Sequence, residues 1–184
     1  MEHRMTIAGL ERGLPLCRVT DDLYIGAFVI FGDPELTTAC AKELLARAPE
    51  FDYMITAEAK GIPLIHEMAR LNNNQRYMLA RKGPKLYMQD ILSSTVKSIT
   101  TEKTQTLYLD GNDAKLMRGK KILLVDDVIS TGESLHALEK LIEDAGGIVA
   151  GRMAILAEGE ATLRNDIIYL EELPLFNSDG SIKA

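Results

Sequence analysis

The sequence predicts an α/β fold, a mostly parallel twisted sheet flanked by helices, and three observations carry that reading. Apolar, β-leaning runs alternate along the chain with segments of helical period, the order that builds a parallel sheet covered on both faces. The run Ile122 to Val125 is apolar throughout, as a strand buried on both faces must be. Three polar loops follow strands, at Glu58–Gly61, Gln89–Thr104 and Asp126–Ser134. In a parallel sheet such loops share one edge, and ligands bind beyond the carboxyl ends of the strands.

The elements follow in order. After an irregular start, Leu23 to Gly32 is an apolar, β-leaning stretch. Asp33-Pro34-Glu35 opens a helix, with Asp as N-cap, Pro at the first position and an acid in the first turn; apolar spacing carries it to about Ala48. Asp52–Ala57 reads as a buried strand, Glu58–Gly61 as its exit loop, Ile62–Leu71 as a helix and Gln75–Arg81 as the next strand. Gln89 to Thr104 has no clean period and many Ser and Thr, and is expected to be a long loop of functional use. Thr104–Asp110 and Lys121–Val128 read as strands, Ser134–Gly147 as a helix closed by glycines, and Ile148–Leu156 and Asp166–Leu170 as further strands.

A length of 184 residues suits one domain, 1–184. The formal net charge of -6 argues against nucleic acid or anionic membrane as a partner, because both are held by surplus Lys and Arg. Met1 to Gly13 lacks the apolar core of a signal peptide, and no run approaches membrane-spanning length, so a cytoplasmic protein is expected. Cys17 and Cys40 have neither metal-ligand spacing nor a disulfide-rich setting and read as reduced thiols. His66-Glu67 lacks the second histidine of a zinc-protease motif, since position 70 is Arg70. His136 reads as a packing or surface residue of its helix; Tyr87 and Leu173–Phe176 read as packing, the latter also as a subunit contact.

The stretch Lys121–Leu138, KILLVDDVISTGESLHAL, concentrates the chemistry. A strand ending in Asp126-Asp127 throws successive carboxylates to opposite faces near solvent, where they accept hydrogen bonds from sugar hydroxyls or hold metal-bound water. Ser130, Thr131, Gly132, Glu133 and Ser134 then precede a helix whose first N–H groups lack internal partners. Those groups, the helix dipole and the hydroxyls favour a phosphate, and Gly132 permits a close backbone approach. The two parts read as the site of one ligand: acids for a ribose, the loop for its phosphate. Neither a Walker loop nor a GxGxxG fingerprint is present.

This stretch resembles the phosphoribosyl pyrophosphate (PRPP) motif of type I phosphoribosyltransferases. The resemblance implies a Rossmann-like core with a small hood, contributed by about 1–33, and a flexible lid loop at about 89–104. It implies that Asp126 and Asp127 face the ribose while Ser130 to Ser134 wrap the 5′-phosphate, with Glu133 contributing its backbone only. Ile55–Pro63, ITAEAKGIP, is similar to the pyrophosphate loop of the adenine and xanthine branch, which implies pyrophosphate contacts from Glu58, Ala59, Lys60 and Gly61. Ala80–Met88, ARKGPKLYM, resembles the basic segment after the next strand, and Arg81, Lys82 and Lys85 supply the charge a pyrophosphate requires. In the lid, Lys97 and Lys103 are candidates to reach the pyrophosphate and Glu102 to assist proton transfer, although the Tyr-Glu pair usual in adenine enzymes is missing. In the hood, Phe28 and Phe31 are candidates to stack on the base.

The activity so implied is transfer of the 5-phosphoribosyl group from PRPP to a purine, adenine or xanthine first, releasing pyrophosphate in purine salvage. Mg²⁺ is the implied cofactor, held mainly by PRPP and water with no direct protein ligand, and a homodimer is the implied assembly. The alternative is a PRPP-sensing regulator or inactive paralogue of the same fold. Regulators of that kind carry an added DNA-binding domain or a basic RNA-binding face, which the length and the charge of -6 oppose.

Overall fold

A computed structural model describes residues 1–73, 76–97 and 104–183. In chain order the strands are β1 (Glu2–Ile7), β2 (Leu10–Arg18), β3 (Tyr24–Gly26), β4 (Tyr53–Ala57), β5 (Met78–Ala80), β6 (Leu92–Lys97), β7 (Thr104–Leu109), β8 (Lys121–Ile129), β9 (Ile148–Glu158), β10 (Ile168–Leu173) and β11 (Leu175–Phe176). The helices are α1 (Pro34–Arg47), α2 (Ile62–Leu71), α3 (Gly111–Met117) and α4 (Glu133–Asp144), with a 3-10 turn at Gly159–Leu163.

The predicted parallel sheet is present. Its five strands run β10-β9-β8-β4-β5, every neighbouring pair parallel. β8 lies at the centre and shows why its sequence is apolar without alternation. Leu123 and Val125 enter a cluster with Leu36, Cys40 and Leu44 of α1 and Leu64, Ile65 and Met68 of α2. Ile122 and Leu124 enter a second cluster with Leu135, Leu138, Leu141 and Ile142 of α4. Successive side chains feed opposite layers, so both parities must be apolar until the strand reaches the edge.

Three expectations are corrected. The irregular start is a β-hairpin, with β1 antiparallel to β2 and Ile7 opposite Leu10. Ala8 and Gly9 form its two-residue turn at φ 48° and 79°, both in the left-handed region that suits the twist of a tight hairpin. Alanine rarely takes that conformation, so the turn is hard to see in the sequence. Of the β-leaning stretch Leu23–Gly32, only Tyr24–Gly26 is a strand. Within the expected loop Gln89–Thr104, Leu92–Lys97 is a strand: β6 pairs antiparallel with β7 from Leu92↔Leu109 to Lys97↔Thr104. Ser93, Ser94 and Thr95 lie on this ribbon, where β-branched Thr is at home. α3, unforeseen, starts on Asp110, whose side chain accepts from Asn112 N at 2.9 Å.

β1, β2, β3 and β11 form a second, antiparallel sheet that brings together the first 26 residues and Leu175–Phe176. It is fastened to the parallel sheet at the head of α1. There Asp33 accepts from Leu36 N at 3.0 Å as the helix cap and pairs with Arg12 Nε at 2.6 Å. That hydrogen bond holds the Asp33 carboxyl below its ordinary range.

Asp33→Ala removes cap and ion pair together, and urea denaturation should show a loss of about 1–2 kcal/mol, with Asp33→Asn losing less because Asn still caps. Asp33 is depressed in the folded state, so its contribution is full above the unfolded value of about 3.9 and vanishes as pH falls through the folded one. The gap between wild type and Asp33→Asn should therefore close in acid.

Candidate active site

The carboxyl edge of the parallel sheet carries the predicted residues. β8 delivers Asp126 and Asp127 there, beside the end of β4 and the loop Glu58–Gly61 that joins it to α2. Asp127 is 3% exposed, buried next to a second carboxylate. Its Oδ2 lies 2.7 Å from Lys60 Nζ, an ion pair without a well-directed hydrogen bond. Asp127 N donates to Asp126 Oδ1 at 2.9 Å. Burial, and then the charge of Asp127, push the Asp126 carboxyl well above the ordinary range. The edge thus stores two acids and one cation in little water.

Gly61 is buried and fits because it has no side chain. A Cβ there would lie 2.1 Å from Thr56 Oγ1 and 3.4 Å from Asp126 Oδ1. The Glu58–Ala59 peptide bond is cis. Glu58 itself is turned away from its expected role. Its carboxylate accepts from Lys82 N at 2.8 Å and stands 3.5 Å from Arg81 Nε. An acid facing a pyrophosphate would repel it, whereas here the acid fastens the basic segment to the loop. Arg81 is further anchored through backbone bonds to Tyr108 of β7, both at 2.8 Å, and its buried Nε has no hydrogen-bond partner among the described residues. Lys82 is exposed, and Lys85 half-buried in the turn that Met88 N closes on its carbonyl at 3.0 Å.

Beyond β8, Ser130, Thr131, Gly132, Glu133 and Ser134 line a cavity of about 50 Å³ together with Asp126, Val128, Ile129 and Leu135. One water needs about 10–15 Å³, so there is room for a group of several atoms. Gly132 caps α4 at φ 78°, a left-handed conformation that glycine adopts without strain. The loop therefore bends around a concavity that Asp126 also lines.

The structure separates the other expected residues. Phe28 is 4% exposed and sits in the core with Leu14, Ile30 and Leu36, which leaves no ring face for a base. The reason is parity: in the extended segment after β3, Phe28 and Ile30 point inward while Val29 and Phe31 point outward, Phe31 at 50% exposure. Glu102 and Lys103 lie outside the described residues, as do the side-chain surroundings of Lys97. Two residues escaped the sequence reading. Glu158 ends β9, half-buried, its carboxyl raised by burial and offset by the charge of Lys60. Arg164 approaches Gly132 from the turn before β10, and the only hint in the sequence is an Arg-Asn-Asp run ahead of a strand.

Gly61→Ala forces its methyl into Thr56 and should lower stability by about 1–3 kcal/mol while disturbing the loop. Thermal melting together with pyrophosphate titration checks this, both expected to worsen.

A model of the phosphoribosyl transferase domain matches residues 40–177. A xanthine phosphoribosyltransferase of Exiguobacterium is 31% identical over 138 residues, 73% of this chain and 69% of that protein. A hypoxanthine/guanine phosphoribosyltransferase of Methanothermococcus okinawensis is 34% identical over 110 residues, 60% of this chain and 56% of the other. Among solved structures, the adenine phosphoribosyltransferase of Thermoanaerobacter pseudethanolicus superposes with a TM-score of 0.64 at 26% identity, over 78% of this chain and 84% of that one. With the paired acids, the phosphate-sized loop and these likenesses in place, the chain belongs to the phosphoribosyltransferase family.

Proposed function

We propose that the chain transfers the 5-phosphoribosyl group of PRPP to a ring nitrogen of a purine, releasing pyrophosphate. The observation that supports this best is the juxtaposition at one sheet edge of the Asp127–Lys60 pair and the Gly132 loop. An activated sugar phosphate carries anions at both ends and hydroxyls between them. The edge offers the matching order: amides and hydroxyls of Ser130–Ser134 for the 5′-phosphate, Asp126 and Asp127 for the ribose hydroxyls, and Lys60, Arg81 and Lys82 for the pyrophosphate. Lys85 stands further along the same basic segment. The relatives named above act, by name, on xanthine, on hypoxanthine or guanine, and on adenine, so the acceptor class is a purine.

In this reading the residues work by position and charge. Fixing the sugar through its phosphate and hydroxyls removes much of the entropic barrier. Cations aimed at the departing pyrophosphate stabilise the charge that grows as the sugar carbon becomes oxocarbenium-like. Lys60 would exchange Asp127 for the pyrophosphate, releasing Asp127 to accept from the ribose. Phe31, half exposed, is the remaining candidate to stack on the base. Mg²⁺ bound with PRPP supplies further neutralisation of the pyrophosphate. The two edge acids, Asp126 and Asp127, would suit contact with the ion through water. A cytoplasmic homodimer completes the proposal.

A panel of adenine, xanthine, guanine and hypoxanthine with PRPP and Mg²⁺ should release pyrophosphate with at least one base. PRPP binding without turnover on any base would instead mark a sensor of PRPP.

Asp127→Asn should lower kcat by about 10²–10³ with the fold intact, and Lys60→Ala should weaken PRPP and pyrophosphate together by about tenfold. Steady-state kinetics and calorimetry read these outcomes; near-normal values remove the assigned roles.

A further inference from the structure

The loop assigned to the 5′-phosphate has no positive charge of its own. Ser130 to Ser134 comprise three hydroxyls, one glycine and one acid. A phosphomonoester brings about 1.5 to 2 negative charges at neutral pH. A helix start offsets about half a charge. A cation close to the loop is therefore expected, and the neighbouring sequence supplies none.

Arg164 meets the requirement from a distant part of the chain. A Cβ built on Gly132 would lie 3.1 Å from Arg164 Nη1, so the guanidinium edge touches the loop where a side chain is missing. The guanidinium is fixed in place. Its Nε donates to Asp166 Oδ1 at 2.9 Å and its Nη2 to Asp166 Oδ2 at 2.8 Å, a two-pronged clasp that suits the planar fork. Nη1 is left over. It makes no hydrogen bond or ion pair among the described residues, and it is the atom turned toward Gly132.

The clasp is itself anchored. Arg152 of β9 stands 3.5 Å from Asp166 and also pairs with Glu139 of α4, whose other oxygen lies 2.9 Å from His136 Nδ1. Alternating charges thus run from the second turn of α4, across β9, to the turn before β10, and end in a guanidinium edge at the phosphate loop. Arg164 is mostly shielded, with its side chain 28% exposed, so its charge acts through less water than a surface lysine would. The same clasp keeps the Asp166 carboxyl at about 2, so the anchor stays ionised at working pH.

We propose that Arg164 is a substrate-binding residue for the phosphomonoester: its Nη1 edge supplies the counter-charge of the 5′-phosphate at the Gly132 loop, with Asp166 as the residue that positions it. The inference rests on the phosphoribosyltransferase reading and adds a residue to it. It also gives Gly132 a second reason to be glycine, since a side chain there would crowd the guanidinium.

Calorimetry separates the two ends of the substrate. Ribose 5-phosphate and inorganic pyrophosphate are titrated separately into wild type, Arg164→Ala, Arg164→Lys and Asp166→Asn. Arg164→Ala should weaken ribose 5-phosphate about tenfold or more and leave pyrophosphate within about twofold, as loss of one charge-assisted contact requires. Arg164→Lys should recover part of the loss, and Asp166→Asn should fall between wild type and Arg164→Ala. Unchanged ribose 5-phosphate affinity in Arg164→Ala overturns the proposal, and so does an equal loss for both anions, which would mark a general distortion. If Arg164→Ala does not fold, Arg164→Lys and Asp166→Asn decide: a selective loss of ribose 5-phosphate supports the role and none refutes it. A wild type that takes up pyrophosphate but not ribose 5-phosphate sinks this inference alone, whereas one that takes up neither sinks the phosphoribosyl reading with it.

Discussion

Two adjacent carboxylates at the end of a buried strand set the terms for everything around them. Asp127 is withdrawn from water, and Asp126 is held beside it with its acidity weakened. Like charges so placed are tolerable only if a cation is brought in or a proton retained. Lys60 is that cation in the free protein. To reach Asp127 the chain must turn sharply after β4, and Gly61 allows the turn by packing its bare Cα against Thr56. The cost of the pair is therefore built into a neighbouring loop.

The remainder of the fold aims charge at this edge. Glu58 ties the basic segment to the loop that carries Lys60, so two stretches of positive charge from different strands are joined. Arg81 is clamped to β7, which links them to the β6–β7 arm. On the opposite flank, the α4 loop and the Arg152–Asp166–Arg164 line form the other wall. Between them the parallel sheet acts as a rigid floor, its two faces packed by α1 and α2 on one side and α4 on the other.

What the sequence disclosed depended on how local each signal was. Asp126, Asp127 and Thr131-Gly132 stand within one strand–loop–helix unit, where local chemistry and local geometry agree, and the same holds for the Asp33 cap and the start of α1. The hairpin at Ala8-Gly9 was hidden because its turn uses an alanine at positive φ, and β6 was hidden because a polar ribbon of Ser and Thr looks like a loop until its partner strand is known. Phe28 and Phe31 differ only in parity, which an extended segment reveals once it is anchored to a core. Glu58 was placed with the pyrophosphate contacts because of its position in the chain, while its partners come from after β5. Arg164 was barely legible: the glycine it touches lies on a different strand–loop unit, and only the closed sheet brings them together.

The pairing of β11 with β3 has a consequence for how the protein is made. β3 lies near the beginning of the chain, yet one of its two neighbours is Leu175–Phe176, and His3 rests against the Phe176 ring. A ribosome delivers β4, β5, β8 and β9 before Leu175–Phe176, and β10 of the parallel sheet emerges just ahead of them. The antiparallel sheet can therefore close only after all five parallel strands have been delivered. A nascent chain would thus hold its paired acids and the Gly132 loop before β3 gains its second neighbour, and closure of that sheet waits on Leu175–Phe176.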